Sequence, residues 1–301
     1  MIAPPPLQAG DTVAFASPAR SIEPHQLDDA AALFERHGFR VRLDPEIFAV
    51  HHQFGGNDAH RAAHFNRLLS DPQVKAIVAA RGGFGCNRTT DGVDFELLRK
   101  NPKWIVGYSD ITHFHALIGQ KTGLQSLHAP MGKEMGNITA QSEEAMINAL
   151  TGRFPNYRFI THPLNREGAA SGILIGGNLS VLYSLAASGM FPETNGRILF
   201  IEDVDEYLYH IDRMMISLKK AGIFSQIAGL VVGAFTDIHD HQVPFGLSIE
   251  EIIREHCADF DFPIAFGFEA GHQPQNLCLV MGRQTHLEVE PENDSVLNQA
   301  S

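Results

Sequence analysis

Short apolar runs alternate with segments of helical period along this chain, and that alternation restricts its fold more than any other feature. Thr12–Ala16 (TVAFA) reads as a strand. Residues 24–37 carry Leu27, Ala31, Leu33 and Phe34 at roughly helical spacing, and residues 39–43 read as a second strand. Asp58 is expected to cap a helix reaching Leu69, with Ala62, Phe65 and Leu68 on one face. Residues 74–80 (VKAIVAA) and Trp104–Gly107 are almost continuously apolar. A strand apolar on both sides must be covered on both sides, and an intervening helix returns the chain to a parallel neighbour. The pattern predicts an α/β fold built on a parallel sheet between helical layers.

With 301 residues, the chain has room for two domains at about 150 residues each. Residues 151–170 (TGRFPNYRFITHPLNREGAA) break the periodicity with Gly, Pro and Asn. The expected domains are therefore residues 1–160 and 161–301. The second reads as richer in strands, at 172–175, 197–201, 228–235, 264–267, 277–281 and 285–289, the last two separated by a turn at Gly282. Helices are expected over 179–187 and 207–221, the latter with Leu208, Ile211, Met214, Met215 and Leu218 on one stripe.

A chain 44% hydrophobic and 19% charged is neither disordered, collagenous nor a coiled coil. Its formal charge of −12 argues against non-specific nucleic-acid binding, and it obliges any anionic ligand to find a local cluster of Arg or Lys. No apolar run approaches a membrane span, and the first residues lack a signal-peptide pattern. Cys86, Cys257 and Cys278 are odd in number and have no CxxC spacing, which fits a reducing compartment. The reading is a cytoplasmic protein.

Four stretches could carry chemistry. Trp104–Gly107 runs through Tyr108 into Ser109-Asp110-Ile111-Thr112 and a helical segment. A serine on such a turn exposes its hydroxyl at the sheet's carboxyl edge, before a helix N-terminus that favours negative charge. The same serine could simply cap the helix. Arg81-Gly82-Gly83-Phe84-Gly85 follows an apolar strand. It is not a nucleotide fingerprint; its amides suit an oxyanion hole, or the glycines merely serve a turn. Glu202-Asp203 ends an apolar strand, where a carboxylate can orient an imidazole, or Asp203 can cap the following helix. His272 lies on a Gly/Pro/Asn loop between apolar strands, a place suited to a general base. The histidine-dense spots (His51-His52, His113/His115, His239-Asp240-His241) have no zinc-enzyme spacing, so no metal is expected. Arg81, backed by Arg88, Lys133 and Arg213, is the candidate for a substrate carboxylate.

Taken in order, the motifs resemble the LD-carboxypeptidase family over almost the whole length. They are Val13-Ala14-Phe15-Ala16-Ser17-Pro18-Ala19, Phe54-Gly55-Gly56-Asn57-Asp58 with Arg61, Arg81–Gly85, Gly107–Thr112, Gly176-Gly177-Asn178-Leu179, Phe200–Asp203 with Asp212-Arg213-Met214, and Gly271-His272. The resemblance implies two domains, a flavodoxin-like N-terminal one bearing the nucleophile and a C-terminal one bearing Glu and His, with the site at their interface. It implies Ser109 as nucleophile, His272 as general base and then acid, Glu202 as its orienter, and the amides of Gly83 and Asp110 as oxyanion hole. It further implies a frequently dimeric serine peptidase without a cofactor. Its substrate would be the murein tetrapeptide or a related small peptide, from which it releases terminal D-alanine. Peptidyl-nucleotide conjugates are the alternative substrate within the family. Outside it stand a nucleotide- or flavin-dependent enzyme and a non-catalytic binding protein. One departure is Val280, where the family usually has Pro; it is expected to alter a turn.

Overall fold

A computed structural model describes residues 1–290 and 293–299. The chain divides into two compact units, residues 1–154 with Pro274–Gly282, and residues 155–273 with 283–301. The sequence division at 160/161 is thus displaced by six residues, and it kept 274–282 with the second domain. That short return belongs to the first unit because its strand completes the first unit's sheet.

In the first unit the strands are β1 (Thr12–Ala16), β2 (Arg40–Arg42), β3 (Val74–Ala79), β4 (Trp104–Gly107), β5 (Ser126–His128) and, from the return, β11 (Leu279–Met281). Their order is β2-β1-β3-β4-β5-β11, parallel except for β11. The order 2-1-3-4-5 is that of flavodoxin-like sheets, whose ligands sit beyond the strands' carboxyl ends. Helices α1 (Asp28–Arg36), α2 (Asp58–Ser70), α3 (Cys86–Thr89), α4 (Phe95–Lys100), α5 (Thr112–Thr122) and α6 (Ala140–Leu150) connect them. The sheet is buried between two apolar layers. One holds Phe15, Phe34, Trp104 and Val106, the other Phe65, Ile77, Ile105 and Phe114.

Local chemistry corrects two sequence readings here. The cap of α2 is Asn57, whose side chain accepts from the His60 amide at 2.8 Å; Asp58 is the first helical residue, and its carboxylate faces Arg61 and Arg88. Val280 alters no turn: it is a fully buried residue of β11, opposite Leu127 of β5.

The second unit has β6 (Asn156–Phe159), β7 (Gly168–Asn178), β8 (Ile198–Val204), β9 (Gly229–Thr236), β10 (Ile264–Ala265), β12 (Gln284–Val289) and β13 (Ser295–Asn298). The sheet runs β10-β9-β8-β7-β12-β13-β6, with β7 to β10 parallel and the others antiparallel. Helices α7 (Leu179–Ala187), α8 (Leu208–Lys220) and α9 (Ile249–His256) complete it. Of the stripe expected on α8, Ile211, Met214, Met215 and Leu218 are buried, while Leu208, at the helix start, is half-buried. Strand β6 lies inside residues 151–170, the stretch whose broken periodicity marks the expected domain boundary. Its alternating Tyr157 and Phe159 are buried, a signal too short to stand out among Pro, Asn and Gly. The strands flanking Gly282 form no hairpin, since β11 joins the first sheet and β12 the second. No helix among the described residues is long and apolar enough to cross a membrane.

Candidate active site

The first unit carries Ser109, Asp110, Gly83 and Arg81. Strand β4 ends at Gly107, where a Cβ would lie 2.8 Å from Ile111 and 3.1 Å from Ala79, so the chain can turn this tightly only with glycine. Ser109 has φ +61°, a left-handed conformation that costs a residue with a Cβ roughly 1–2 kcal/mol. A single 3-10 turn (Ser109–Ile111) then leads into α5. A half-buried serine with a left-handed backbone thus sits on a strand–turn–helix junction at the sheet's carboxyl edge, a place where local strain is commonly tied to function.

The glycine loop closes on this turn. A Cβ on Gly82 would lie 3.3 Å from Ser109 Cβ and 3.4 Å from its Oγ, so the loop packs directly against the hydroxyl. Gly83 has φ +106° and Gly85 φ +144°. Among the described residues, the amides of Gly83 and Asp110 donate to no protein acceptor. The Asp110 carboxylate accepts from the Cys86 amide at 2.8 Å and so ties the loop to the serine turn. Burial pushes the Asp110 carboxyl up, while the Cys86 and Gly85 amides pull it back. Burial, reinforced by Asp110, also pushes the Cys86 thiol up. Arg81 donates to the Ser21 carbonyl at 3.2 Å.

Two buried groups hold this edge from beneath. Arg61 donates to the Pro18 and Gly56 carbonyls, to Thr89 Oγ1 and to Asp58. His115 bridges the Gly107 carbonyl at 2.9 Å and Ser126 Oγ at 2.8 Å. A carbonyl only accepts, so Nε2 carries the proton and Nδ1 accepts from Ser126. Burial lowers His115 to about 4, and His113 likewise to about 4. These histidines, weighed in sequence only as metal ligands, are buried neutral groups.

The second unit carries Glu202 and His272. His272 Nδ1 lies 2.7 Å from Glu202 Oε2, and the carboxylate is fully buried. Because the carboxylate only accepts, Nδ1 carries the proton, which leaves the lone pair on Nε2. The β8–β9 register slips at this point: Ile201 pairs with Val232 but Asp203 with Phe235. Such an irregularity re-aims the side chain it contains, here Glu202. Gly271 has φ +125°, and a Cβ there would meet Glu202 Oε2 at 2.9 Å, so only glycine lets the loop bring His272 onto the carboxylate. Thr236 Oγ1 donates to the His272 carbonyl at 3.0 Å and pins the loop further.

Asp203 has a different task from its neighbour. It accepts from Asn178 Nδ2 (2.8 Å), the Ser180 amide (2.9 Å) and the Val204 amide (2.9 Å). It therefore anchors the start of the preceding helix, α7, and not the following one. Burial and the adjacent Glu202 push Asp203 up to about 7. Asn178 caps α7 by accepting from Val181, and a Cβ on Gly176 would overlap the Phe200 carbonyl at 1.9 Å. Close strand packing and helix capping thus account for Gly176 and Asn178 without a phosphate. Of the other cations considered, Arg88 pairs with Asp58 and Arg213 stacks over Tyr209 at 5.0 Å. Among the described residues, no three His, Cys, Asp or Glu side chains converge as a metal site.

The first unit has the doubly wound, flavodoxin-like α/β topology, with a serine turn and a glycine loop at its sheet's carboxyl edge. The chain belongs to the LD-carboxypeptidase family: residues 12–129 match the LD-carboxypeptidase N-terminal domain and residues 171–287 the C-terminal domain. It is 35% identical over 289 residues to a probable murein peptide carboxypeptidase of Bacillus subtilis, covering 94% of this chain and 91% of that one. The microcin C7 self-immunity protein MccF of Escherichia coli is 26% identical over 332 residues, covering 98% and 95%. The crystal structure of muramoyltetrapeptide carboxypeptidase from Oxalobacter formigenes superposes with a TM-score of 0.86 at 26% identity, covering 95% and 98%. The protein is thus a peptidase of the carboxypeptidase type, on a scaffold that also serves relatives with other activities.

Proposed function

We propose that the protein is a serine LD-carboxypeptidase that releases the terminal D-residue of the murein tetrapeptide. The strained Ser109 turn packed against the glycine loop carries this reading. Ser109 Oγ attacks the scissile carbonyl while Nε2 of His272 takes its proton. The Glu202 carboxylate fixes the imidazole tautomer and stabilises the imidazolium. The amides of Gly83 and Asp110 receive the oxyanion, each donor contributing roughly 3–4 kcal/mol. His272 then protonates the departing D-amino acid amine, and water attacking the acyl-enzyme completes the cycle. Arg81, which keeps donors beyond its bond to the Ser21 carbonyl, receives a carboxylate of the peptide other than the terminal one.

The testing experiment is D-alanine release from L-Ala-D-Glu-meso-diaminopimelate-D-Ala by wild type and Ser109→Ala, with an all-L peptide as control. Release by wild type alone, with the control untouched, is expected. Equal release by Ser109→Ala removes the nucleophile assignment. A second reading, hydrolysis of a peptidyl-nucleotide conjugate, is favoured by one observation. His241 stacks on Tyr207 (4.8 Å) and Tyr209 (5.3 Å), and both tyrosines are exposed. Such rings offer a face to a planar base. Release of the nucleotide, with the tetrapeptide left intact, would favour this reading.

A further inference from the structure

A carboxypeptidase must recognise the free carboxylate that marks a chain end, and a protein of charge −12 needs a local cation for it. At the nucleophile edge of the first unit, several cations are already engaged. Arg61 and Arg88 both contact Asp58, and Arg81 donates to the Ser21 carbonyl. Arg20 differs. It is exposed, and among the described residues no carboxylate lies within 4 Å of it.

Its position is built. The Arg20 backbone bridges to Phe54, the Ala19 carbonyl accepts from Gly55 at 3.0 Å, and the Ser21 amide donates to Gln53 at 3.0 Å. Its side chain lies on the glycine loop: a Cβ on Gly83 would meet Arg20 Cδ at 2.6 Å and Nε at 2.8 Å. Gly82, one residue earlier, is the glycine against Ser109 Oγ. In a substrate, the terminal carboxylate lies about one residue length, ~3.8 Å, from the carbon that the serine attacks. The step from Gly82 to Gly83 is the same length.

We propose that Arg20 is the receptor for the terminal α-carboxylate of the departing D-amino acid, and so determines cleavage at a free chain end. The assignment rests on the peptidase reading above and deepens it. A guanidinium presents a planar fork that matches a carboxylate in two parallel hydrogen bonds. Arg81 and Lys133, whose amide donates to the Ala80 carbonyl, are neighbouring cations at this edge and serve as comparisons.

The test compares the tetrapeptide with its C-terminal amide, binding each to Ser109→Ala protein by calorimetry, with and without Arg20→Gln. With Arg20 present, the free acid should bind about 10- to 100-fold tighter than the amide. Arg20→Gln should erase that ratio by weakening the acid alone, and Arg20→Lys should restore part of it. In the Ser109 enzyme, Arg20→Gln should raise KM for the acid with little change in kcat, while an unchanged melting temperature reports an intact fold. An unaltered acid-to-amide ratio in Arg20→Gln overturns the proposal, and loss of the ratio in Arg81→Gln or Lys133→Gln moves the role to that residue. If Ser109→Ala protein binds neither peptide and wild type releases no D-alanine, the peptidase reading itself falls, and this assignment with it.

Discussion

The serine turn of the first unit and the Glu202–His272 pair of the second are made by different means. The serine's surroundings are local: Gly107, Ser109 and Asp110 are consecutive or nearly so, and the strain sits in Ser109's own backbone. The tie to the glycine loop spans only 24 residues. The imidazole and its carboxylate are 70 residues apart in sequence, and no strained dihedral of Glu202 or His272 holds them. A slipped register in β8–β9, a glycine at 271 and complete burial of the carboxylate bring them together. A strained serine turn can therefore be built by a short motif, whereas an imidazole–carboxylate pair depends on the register of a whole sheet.

Substitutions can break this comparison, and the largest effects belong to the chemistry. Ser109→Ala should lower turnover about 10⁴- to 10⁶-fold, and Glu202→Gln about 10²- to 10⁴-fold, both read as steady-state D-alanine release. Asp203→Asn separates the neighbours: it keeps an acceptor for the start of α7 and should cost turnover far less than Glu202→Gln. An unaffected rate in Glu202→Gln would move the orienting role to another acid, with Asp203 the first suspect.

The two glycine contacts should also differ. Gly271→Ala forces a Cβ to 2.9 Å from Glu202 Oε2 at a positive φ, and should cost about 1–3 kcal/mol of stability along with most activity. Gly82→Ala meets only the flexible Met131 Cε at 3.0 Å and Ser109 beyond 3 Å, and should be tolerated better in chemical denaturation. Asp110→Ala strands the Cys86 amide and should cost about 1–3 kcal/mol.

Acid should act through the buried histidines of α5. His113 and His115 titrate near 4 when folded, against 6.5 for the ordinary group, so between those values the unfolded chain binds more protons. Their stabilising contribution is complete above pH 6.5 and is lost as pH falls toward 4, by up to roughly 1.4 kcal/mol per pH unit for each group. Urea unfolding at pH 7 and pH 5 should show the drop, and His113→Phe should reduce it. The smallest effect is expected for the exposed Arg88–Asp58 pair, where Arg88→Ala should leave the unfolding midpoint nearly unchanged in the same assay.

Much of the first unit could be read from sequence because its parts are contiguous. The apolar runs of β1, β3 and β4 and the glycine–serine turn carry their own signals. In the second unit, the stripe on α8 was equally legible. Strand β6 was not, since four residues of alternation among turn formers carry too little periodicity. The role of Asp203 was invisible for another reason. Both acids end one strand, and only the packing of α7 against β8 decides that Asp203 takes the helix amides while Glu202 faces the loop of His272.

The alternating α/β architecture, the serine turn, the glycine loop and the candidate acid and histidine are all written in short stretches of the chain. Hydrophobic period, glycine freedom and short-range turn chemistry act over a few residues, so a linear reading captures them. Assembly of the sheets is what returns residues 274–282 to the first unit, makes Asn57 and not Asp58 the cap of α2, and sets Glu202 and not Asp203 against the imidazole. It also brought Arg20 onto the glycine loop. Each of these depends on which atoms become neighbours once the sheets form, and burial, register and hydrogen-bond geometry between distant residues have no counterpart in local pattern.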